Sequence, residues 1–167
     1  MKIIKPLCVG ASIFVTLLCF LNAGYIGFSD ATSIDNKTSS LVRIDDMNIT
    51  ALLALTPEEQ STGLAIKETM KENEGMLFVF DTPKKYSFWM KDMKFPIDII
   101  WLDSNKKIVH IEDRLEPCLF LLPCPSYAPA TDSLYVLEVV SNFTNKHDIR
   151  IGEQVLFDSR LKLPFSS

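Results

Sequence analysis

The sequence lacks an excess of basic residues: its 167 residues contain 17 Lys and Arg against 21 Asp and Glu. Proteins that bind duplex nucleic acid carry basic surfaces that neutralise phosphates, so nucleic acid is not expected as a partner. The chain also lacks internal repeats, a glycine-rich phosphate loop, a Walker lysine and a Gly-x-Ser-x-Gly elbow. The sequence therefore shows no nucleotide-dependent or serine-hydrolase motif, and we predict no cofactor.

The longest apolar run lies at the N-terminus, where residues 7–28 carry no charge and follow Lys2 and Lys5. As a helix this run would reach roughly 33 Å, enough to span the hydrocarbon of a bilayer. The preceding lysines favour a cytoplasmic start with the rest of the chain exported. Residues 1–28 are therefore predicted to be a signal peptide or an N-terminal membrane anchor. The domain would accordingly be secreted after cleavage or held outside the membrane, and the polar residues 29–40 would form a linker.

Export determines how the cysteines are interpreted. An oxidising compartment favours a disulfide between Cys118 and Cys124, which lie in a proline-rich stretch. Zinc is the alternative, but His110 and His147 have no ligand spacing relative to these cysteines or to each other, and we predict no metal site. Three Asn-x-Ser/Thr sequons would suit an exported surface in a host that glycosylates, at Asn36, Asn48 and Asn142.

Short apolar runs separated by turns dominate residues 41–158 and predict a mainly β domain, either a compact sandwich or a barrel. We expect strands over residues 41–44, 47–55, 76–80, 86–90, 97–102, 107–111, 134–140 and 154–157. One short helix is expected, because Thr56 can cap, Pro57 suits the first position and Glu59 completes a capping box. This helix is predicted to continue to residue 65 or 66, with Gly63 inside it. Residues 159–167 are expected to form a C-terminal tail.

Six blocks follow one another along this domain: GLAIK (63–67), GMLFVF (75–80), FWMKDMKFPIDIIWLD (88–103), CPSYAP (124–129), YVLEVV (135–140) and IGEQVLFD (151–158). With these blocks the sequence resembles the domain-of-unknown-function 192 family. The resemblance covers roughly residues 41–158 and implies a compact, mostly β domain, often behind a signal sequence, with no established biochemical activity.

Three positions depart from the family pattern. Lys67 stands where the family usually has arginine, Asp92 where it has asparagine, and Asn142 where it has glycine. Lysine lacks the bidentate fork of arginine, so a strict carboxylate or phosphate clamp is not expected at position 67.

Two acidic residues lie within otherwise apolar strands, Asp98 in FPIDII and Glu138 in YVLEV. A buried charge without a partner is costly, so each residue requires a partner or a function. If both point to one side, they could serve as the acid and base of a small hydrolase. The favoured interpretation is structural, with each carboxylate solvated or paired with a lysine such as Lys67, Lys91 or Lys94.

Trp89, beside Tyr86 and Phe88, either forms an aromatic platform for a sugar or an apolar ligand or belongs to the core, where Trp101 is also expected. The loop over residues 118–129 is expected to border a site. Our leading hypothesis is an extracytoplasmic binding module for a small molecule or an envelope protein, with Lys67, Trp89, Asp98 and Glu138 as candidate ligand-binding residues. The alternatives are a small hydrolase using Asp98 and Glu138 and an anchored assembly factor. In each case residues 1–28 would contact the membrane.

Overall fold

A computed structural model of the protein describes residues 38–118 and 123–158. The predicted signal or anchor segment, most of the predicted linker and the C-terminal tail lie outside these residues. Within the described ranges, no helix is both long and apolar enough to cross a membrane.

The described residues form a domain that is mainly β, as predicted. The elements are β1 (Ser39–Ile44), β2 (Met47–Ala54), α1 (Pro57–Thr62), a 3-10 helix (Gly63–Ile66), β3 (Glu74–Lys84), β4 (Phe88–Trp89), β5 (Ile97–Leu102), β6 (Ile108–Leu115), β7 (Ser126–Tyr127), β8 (Ser133–Val140), α2 (Phe143–Lys146) and β9 (Val155–Leu156). Seven strands form one sheet in the order β6-β5-β8-β3-β2-β1-β9, and β4 pairs with β7 in a separate small sheet.

The large sheet curls until its two ends meet. Lys107, just before β6, forms a bridge with Gln154, just before β9. The backbone N–H of Gly152 donates to the carbonyl of Ile108 over 2.8 Å, and the N–H of Val155 donates to the carbonyl of Lys106 over 3.0 Å. These contacts join the sheet's first and last strands at one end, so the domain is a partly closed barrel rather than a sandwich of two sheets.

The central strands are buried on both faces. All six residues of β5 are buried, and alternate side chains enter two separate apolar clusters. One cluster, which includes Ile100, Leu77 and Leu137, fills the concave side of the sheet. The other, which includes Trp101, Phe78 and Leu64, lies on the convex side beneath the 3-10 helix and residues 86–95. The covering segments of the convex side therefore provide a second layer in which a site can form.

The local signals for the first helix are largely correct. The N–H of Glu59 donates to Thr56 Oγ1 over 3.3 Å, and the N–H of Thr56 donates to Glu59 Oε2 over 2.9 Å, which completes the predicted capping box. The helical segment does reach Ile66, but not as one continuous helix, because α1 ends at Thr62. Gly63 caps this end with a φ of +53°, a conformation that favours glycine, and the chain then continues as a 3-10 helix.

Candidate functional site

A cavity of about 620 Å³ lies over the convex face of the sheet. Its walls come from α1, the 3-10 helix and residues 86–93, and its floor comes from β3 and β8. Its lining includes Gln60, Ser61, Thr62, Leu64, Phe78, Phe80, Tyr86, Ser87, Phe88, Trp89, Lys91, Asp92 and Glu138. We call this space the Glu138 cavity. Its volume lies within the usual range for sites that bind small organic molecules.

Glu138 is the buried acid of this cavity. In the sheet it lies opposite Met76 of β3 and Ile99 of β5, so its side chain points to the convex side with theirs. The residue is 5% exposed, and its Oε2 has no hydrogen-bond partner among the described residues. Burial without a nearby cation raises the pKa of the Glu138 carboxyl to about 8. At neutral pH this group is therefore mostly an uncharged carboxylic acid.

Aromatic rings form most of the cavity's apolar surface. Tyr86 stacks on Phe80 with ring centroids 3.5 Å apart, and Phe88 meets Phe78 edge to face at 4.9 Å. The Tyr86 hydroxyl donates to the carbonyl of Thr82 over 2.7 Å, which fixes the ring at the cavity edge. These contacts hold the rings in place before any ligand arrives, so the cavity is largely preformed.

Trp89 lies at the exposed rim of the cavity rather than in the core. Its side chain is 57% exposed, and the Lys91 ammonium lies 5.3 Å from the centre of its ring. Trp101, in contrast, is fully buried, and its indole N–H donates to the carbonyl of Tyr86 over 2.9 Å. The two tryptophans thus have different roles, one in the rim and one in the core beneath it.

The predicted loop over residues 118–129 borders the rim through its described part. Cys118 and Cys124 form a disulfide with their Cα atoms 5.4 Å apart. The Cys118 N–H donates to the carbonyl of Met90 over 3.1 Å, and Ser126 of β7 pairs with Trp89 of β4. The hydroxyls of Ser126 and Ser87 are also hydrogen bonded. The disulfide loop therefore supports the strand that carries Trp89.

Asp98 lies on the other face of the sheet from Glu138. It is opposite Val139 in the β5–β8 pairing, whereas Glu138 is opposite Ile99. Directly opposed residues point to the same side and neighbours along a strand to opposite sides, so the two carboxyl groups are separated by the sheet. The predicted acid/base pair of Asp98 and Glu138 is therefore wrong.

The Asp98 carboxylate instead holds two chain segments together. Its Oδ1 accepts from the N–H groups of Arg114 at 2.8 Å and Asn142 at 2.9 Å. Its Oδ2 accepts from the N–H of Thr144 at 2.9 Å and from Thr144 Oγ1 at 2.7 Å. Arg114 and Asn142 have φ values of +52° and +67°, a region that costs most residues energy. Asp98 thus stabilises these turns, which is a structural function.

The lysines predicted to pair with the buried acids have other partners. Lys67 Nζ lies 3.1 Å from Glu74 Oε2, and the hydrogen bond from Lys67 is the main reason that the pKa of Glu74 lies below its usual value. Lys94 pairs with Glu68. Lys67 does not line the Glu138 cavity, so the structure does not bring it together with Trp89 or Glu138.

The histidines and the two described sequon residues, Asn48 and Asn142, also lie apart from the cavity. His110 contacts Glu112 at 3.0 Å and His147 contacts Glu72 at 2.7 Å. No group of three or more metal-binding side chains occurs in the described part of the chain. Asn48 and Asn142 are exposed, whereas Asn36 lies outside the described residues, and glycosylation stays a prediction.

Gln60 is the cavity residue that sequence reasoning did not identify. Its side-chain amide donates to the carbonyl of Val79 over 2.9 Å, which ties α1 to β3. Polar residues on a short helix are usually solvated, so composition gave no signal for this contact. Only the position of α1 above the sheet makes Gln60 part of the cavity wall.

Comparison with known proteins supports the fold and the family. No curated protein matches the chain. A protein from Sinorhizobium meliloti 1021, named as a candidate transcription regulator, is 22% identical with a TM-score of 0.66, and the match covers 72% of this chain and 95% of that one. A protein of unknown function from Novosphingobium aromaticivorans DSM 12444 is 24% identical with a TM-score of 0.64, covering 72% and 84%. At these identities the two structures show a shared fold alone.

The family model of domain of unknown function 192, described as "Uncharacterized ACR", matches residues 40–157. This range contains the first five sequence blocks, all but the last residue of the sixth, and every described residue of the Glu138 cavity. The chain therefore belongs to the domain-of-unknown-function 192 family.

Proposed function

We propose that this domain is a non-enzymatic binding module of the cell envelope that holds a small organic molecule in the Glu138 cavity. The observation that carries the proposal is a buried carboxyl group without a partner in a preformed, aromatic-lined space. An unsatisfied buried polar atom costs about 1–3 kcal/mol. A ligand that hydrogen bonds to Glu138 would recover this energy, so the cavity suits a ligand with a polar group.

Binding is favoured over hydrolysis because the catalytic groups are not assembled. Asp98 is on the opposite face of the sheet, where its oxygens are already occupied by four hydrogen bonds. Neither histidine lines the cavity within the described residues. The cavity serines, Ser61 and Ser87, therefore have no histidine beside them in the lining to act as the base of a serine–histidine pair.

The proposed location follows from the sequence. The uncharged run over residues 7–28 after Lys2 and Lys5 favours export, and the Cys118–Cys124 disulfide suits an oxidising compartment. We therefore place the ligand outside the cytoplasm, with the module either anchored by its N-terminal segment or released after cleavage.

A thermal-unfolding screen of the full-length chain tests the binding function. The panel contains sugars, inorganic anions, divalent metal ions, apolar molecules and organic amines. A ligand at a hundred times its dissociation constant should stabilise the native state by about 2.7 kcal/mol. We expect one class to raise the midpoint of the wild type but not of Trp89→Ala, because Trp89 forms the cavity rim.

Ile151→Ala is the matched control, since Ile151 is also an exposed apolar residue, at 62%, and does not line the cavity. It should respond to the ligand as the wild type does. If no class shifts the wild-type midpoint, the small-molecule proposal fails, and an envelope protein becomes the better candidate partner.

A further inference from the structure

We infer that the Glu138 cavity binds an organic ammonium ion, whose positive charge pairs with Glu138 while its apolar body packs on the aromatic walls, and that binding releases the Glu138 proton to solvent. This inference rests on the proposed binding function and names the ligand class. It is carried by the charges of the cavity, by the arrangement of its rings and by the protonation of the buried acid.

The ionisable groups of the cavity favour a cation. Its lining includes two carboxyl groups, Glu138 and Asp92, against one amine, that of Lys91. Lys91 and Asp92 are exposed at the rim, where water screens their charges. Glu138 is buried, and no described cation contacts it. If its carboxyl group ionises, the buried part of the cavity therefore carries a negative charge that no protein cation neutralises.

The elements packed around Glu138 contribute no further buried charge. The flanking strands place Met76 and Ile99 beside it, and the covering 3-10 helix places Leu64 above the same face. The polar lining residues from α1 are Gln60, Ser61 and Thr62, which carry no charge, and the Gln60 amide is bonded to backbone carbonyls. Residues 86–93 add the Tyr86 hydroxyl and the exposed Lys91 and Asp92. Glu138 is thus the titrating group that a buried ligand would meet.

The rings supply a second attraction for a cation. An ammonium within about 6 Å of an aromatic face is stabilised by the ring quadrupole, most strongly over tryptophan. The Lys91 ammonium already lies 5.3 Å from the centre of the Trp89 ring. This internal contact shows that the rim presents a ring face that a positive group can approach, and Tyr86 and Phe88 extend the aromatic surface inward.

The protonation change follows from charge balance. Without a cation beside it, Glu138 is mainly a neutral acid at neutral pH, because burial disfavours its ionised form. A bound ammonium favours the ionised form, so the acid loses one proton to solvent while the ligand keeps its own. A neutral ligand would instead accept a hydrogen bond from the protonated acid, with no proton released. An anion would be repelled by any ionised fraction of Glu138.

Matched probes separate these cases by isothermal titration calorimetry on the full-length chain. Each set shares one apolar body and differs in charge: 2-phenylethylammonium, 2-phenylethanol and phenylacetate; tryptammonium, indole-3-ethanol and indole-3-acetate; and hexylammonium, hexanol and hexanoate. Titrations at pH 7 in two buffers of different ionisation enthalpy give the number of protons released. With a pKa of about 8, ammonium binding should release about 0.9 proton at pH 7, and its affinity should rise about tenfold between pH 6 and pH 7.

Glu138→Gln should lose both the proton release and the preference for ammonium, and should still bind the neutral alcohol, which shows that the cavity is intact. Glu116→Gln is the control, because it removes an exposed carboxylate outside the cavity and should behave as the wild type. Tighter binding of the alcohol or the carboxylate would overturn the ammonium inference and leave the binding function standing. Ammonium binding without proton release, or unchanged in Glu138→Gln, would also overturn it. If none of the nine probes binds at millimolar concentration while the thermal-unfolding screen finds a ligand of another class, the ammonium inference fails alone; if neither assay finds a ligand, both proposals fail.

Discussion

Replacing Glu138 with glutamine should change how the stability of this protein depends on pH. The pKa of the Glu138 carboxyl rises from 4.5 to about 8 on folding. The native state therefore holds this proton more tightly than the unfolded state does. Below pH 4.5 the carboxyl group is mainly protonated in both states, so it does not lower the free energy of unfolding there. Stability is then lost as the pH rises from about 4.5 to about 8, where the penalty is complete.

The magnitude follows from the size of the shift. A difference of about 3.5 pKa units, at about 1.36 kcal/mol per unit, corresponds to about 5 kcal/mol. This is a large part of the 5–15 kcal/mol that typically stabilises a folded domain. Glutamine cannot ionise, so the free energy of unfolding of Glu138→Gln should lack this decline. The variant should gain about 3 kcal/mol over the wild type between pH 5 and pH 7.

Urea unfolding of the full-length chain, followed by tryptophan fluorescence at pH steps between 4 and 9, measures this difference. The difference in the free energy of unfolding between the two proteins at pH 4 measures the effect of the new amide itself. The test is how much this difference changes as the pH rises. Glu116→Gln, an exposed position, controls for the loss of one carboxylate. Parallel pH profiles for wild type and Glu138→Gln would refute the reasoning, because Glu138 would then ionise alike in the folded and unfolded states.

Substitutions at four positions, Asp98, Gly75, Trp101 and Trp89, give further predictions for the same urea unfolding assay. Asp98→Ala should cost about 3–5 kcal/mol, because it leaves four donors without their buried acceptor; a loss below about 1 kcal/mol would contradict the anchoring role. Gly75→Ala should cost about 1–3 kcal/mol, since a Cβ there would lie 2.7 Å from the Glu138 carbonyl oxygen, and an unchanged urea midpoint would exclude this clash. Trp101→Ala should cost about 3–5 kcal/mol, whereas Trp89→Ala should cost under about 1 kcal/mol because its side chain is largely exposed; equal losses would place both rings in the core.

The sequence predicted much of the fold because the signals were local. The apolar run over residues 97–102 coincides with β5, and the strands expected over residues 41–44 and 47–55 correspond to β1 and β2. The polar groups embedded in strands were also the right ones to examine. The alternation of residue types along a strand, however, shows only which residues of that strand share a face. The relation between Asp98 and Glu138 depends on Ile99 lying opposite Glu138, and strand register is a tertiary property that no pattern in either segment contains.

Two departures from the family pattern have a conformational explanation that composition alone did not provide. Asp92 and Asn142 have φ values of +62° and +67°. The residues typical of the family at these positions, asparagine and glycine, also tolerate this left-handed region. The substitutions therefore preserve the backbone and say little about chemistry. The parallel pairing of β2 with β3 was not predicted either, because the intervening helix is too short to give a clear alternating α/β pattern.

The contact between the two ends of the sheet sets the order in which this protein can finish folding. The first described strand, β1, pairs with the last described strand, β9, through Ile44 and Val155. The bridge between Lys107 and Gln154 likewise forms only once residue 154 is present. During synthesis or export, a chain that has not yet reached residue 155 leaves the β1 edge and the end of β6 unpaired. Such edges can pair with other chains. The nascent domain therefore depends on its final strand, and truncation before residue 154 should favour aggregation over a monomeric barrel.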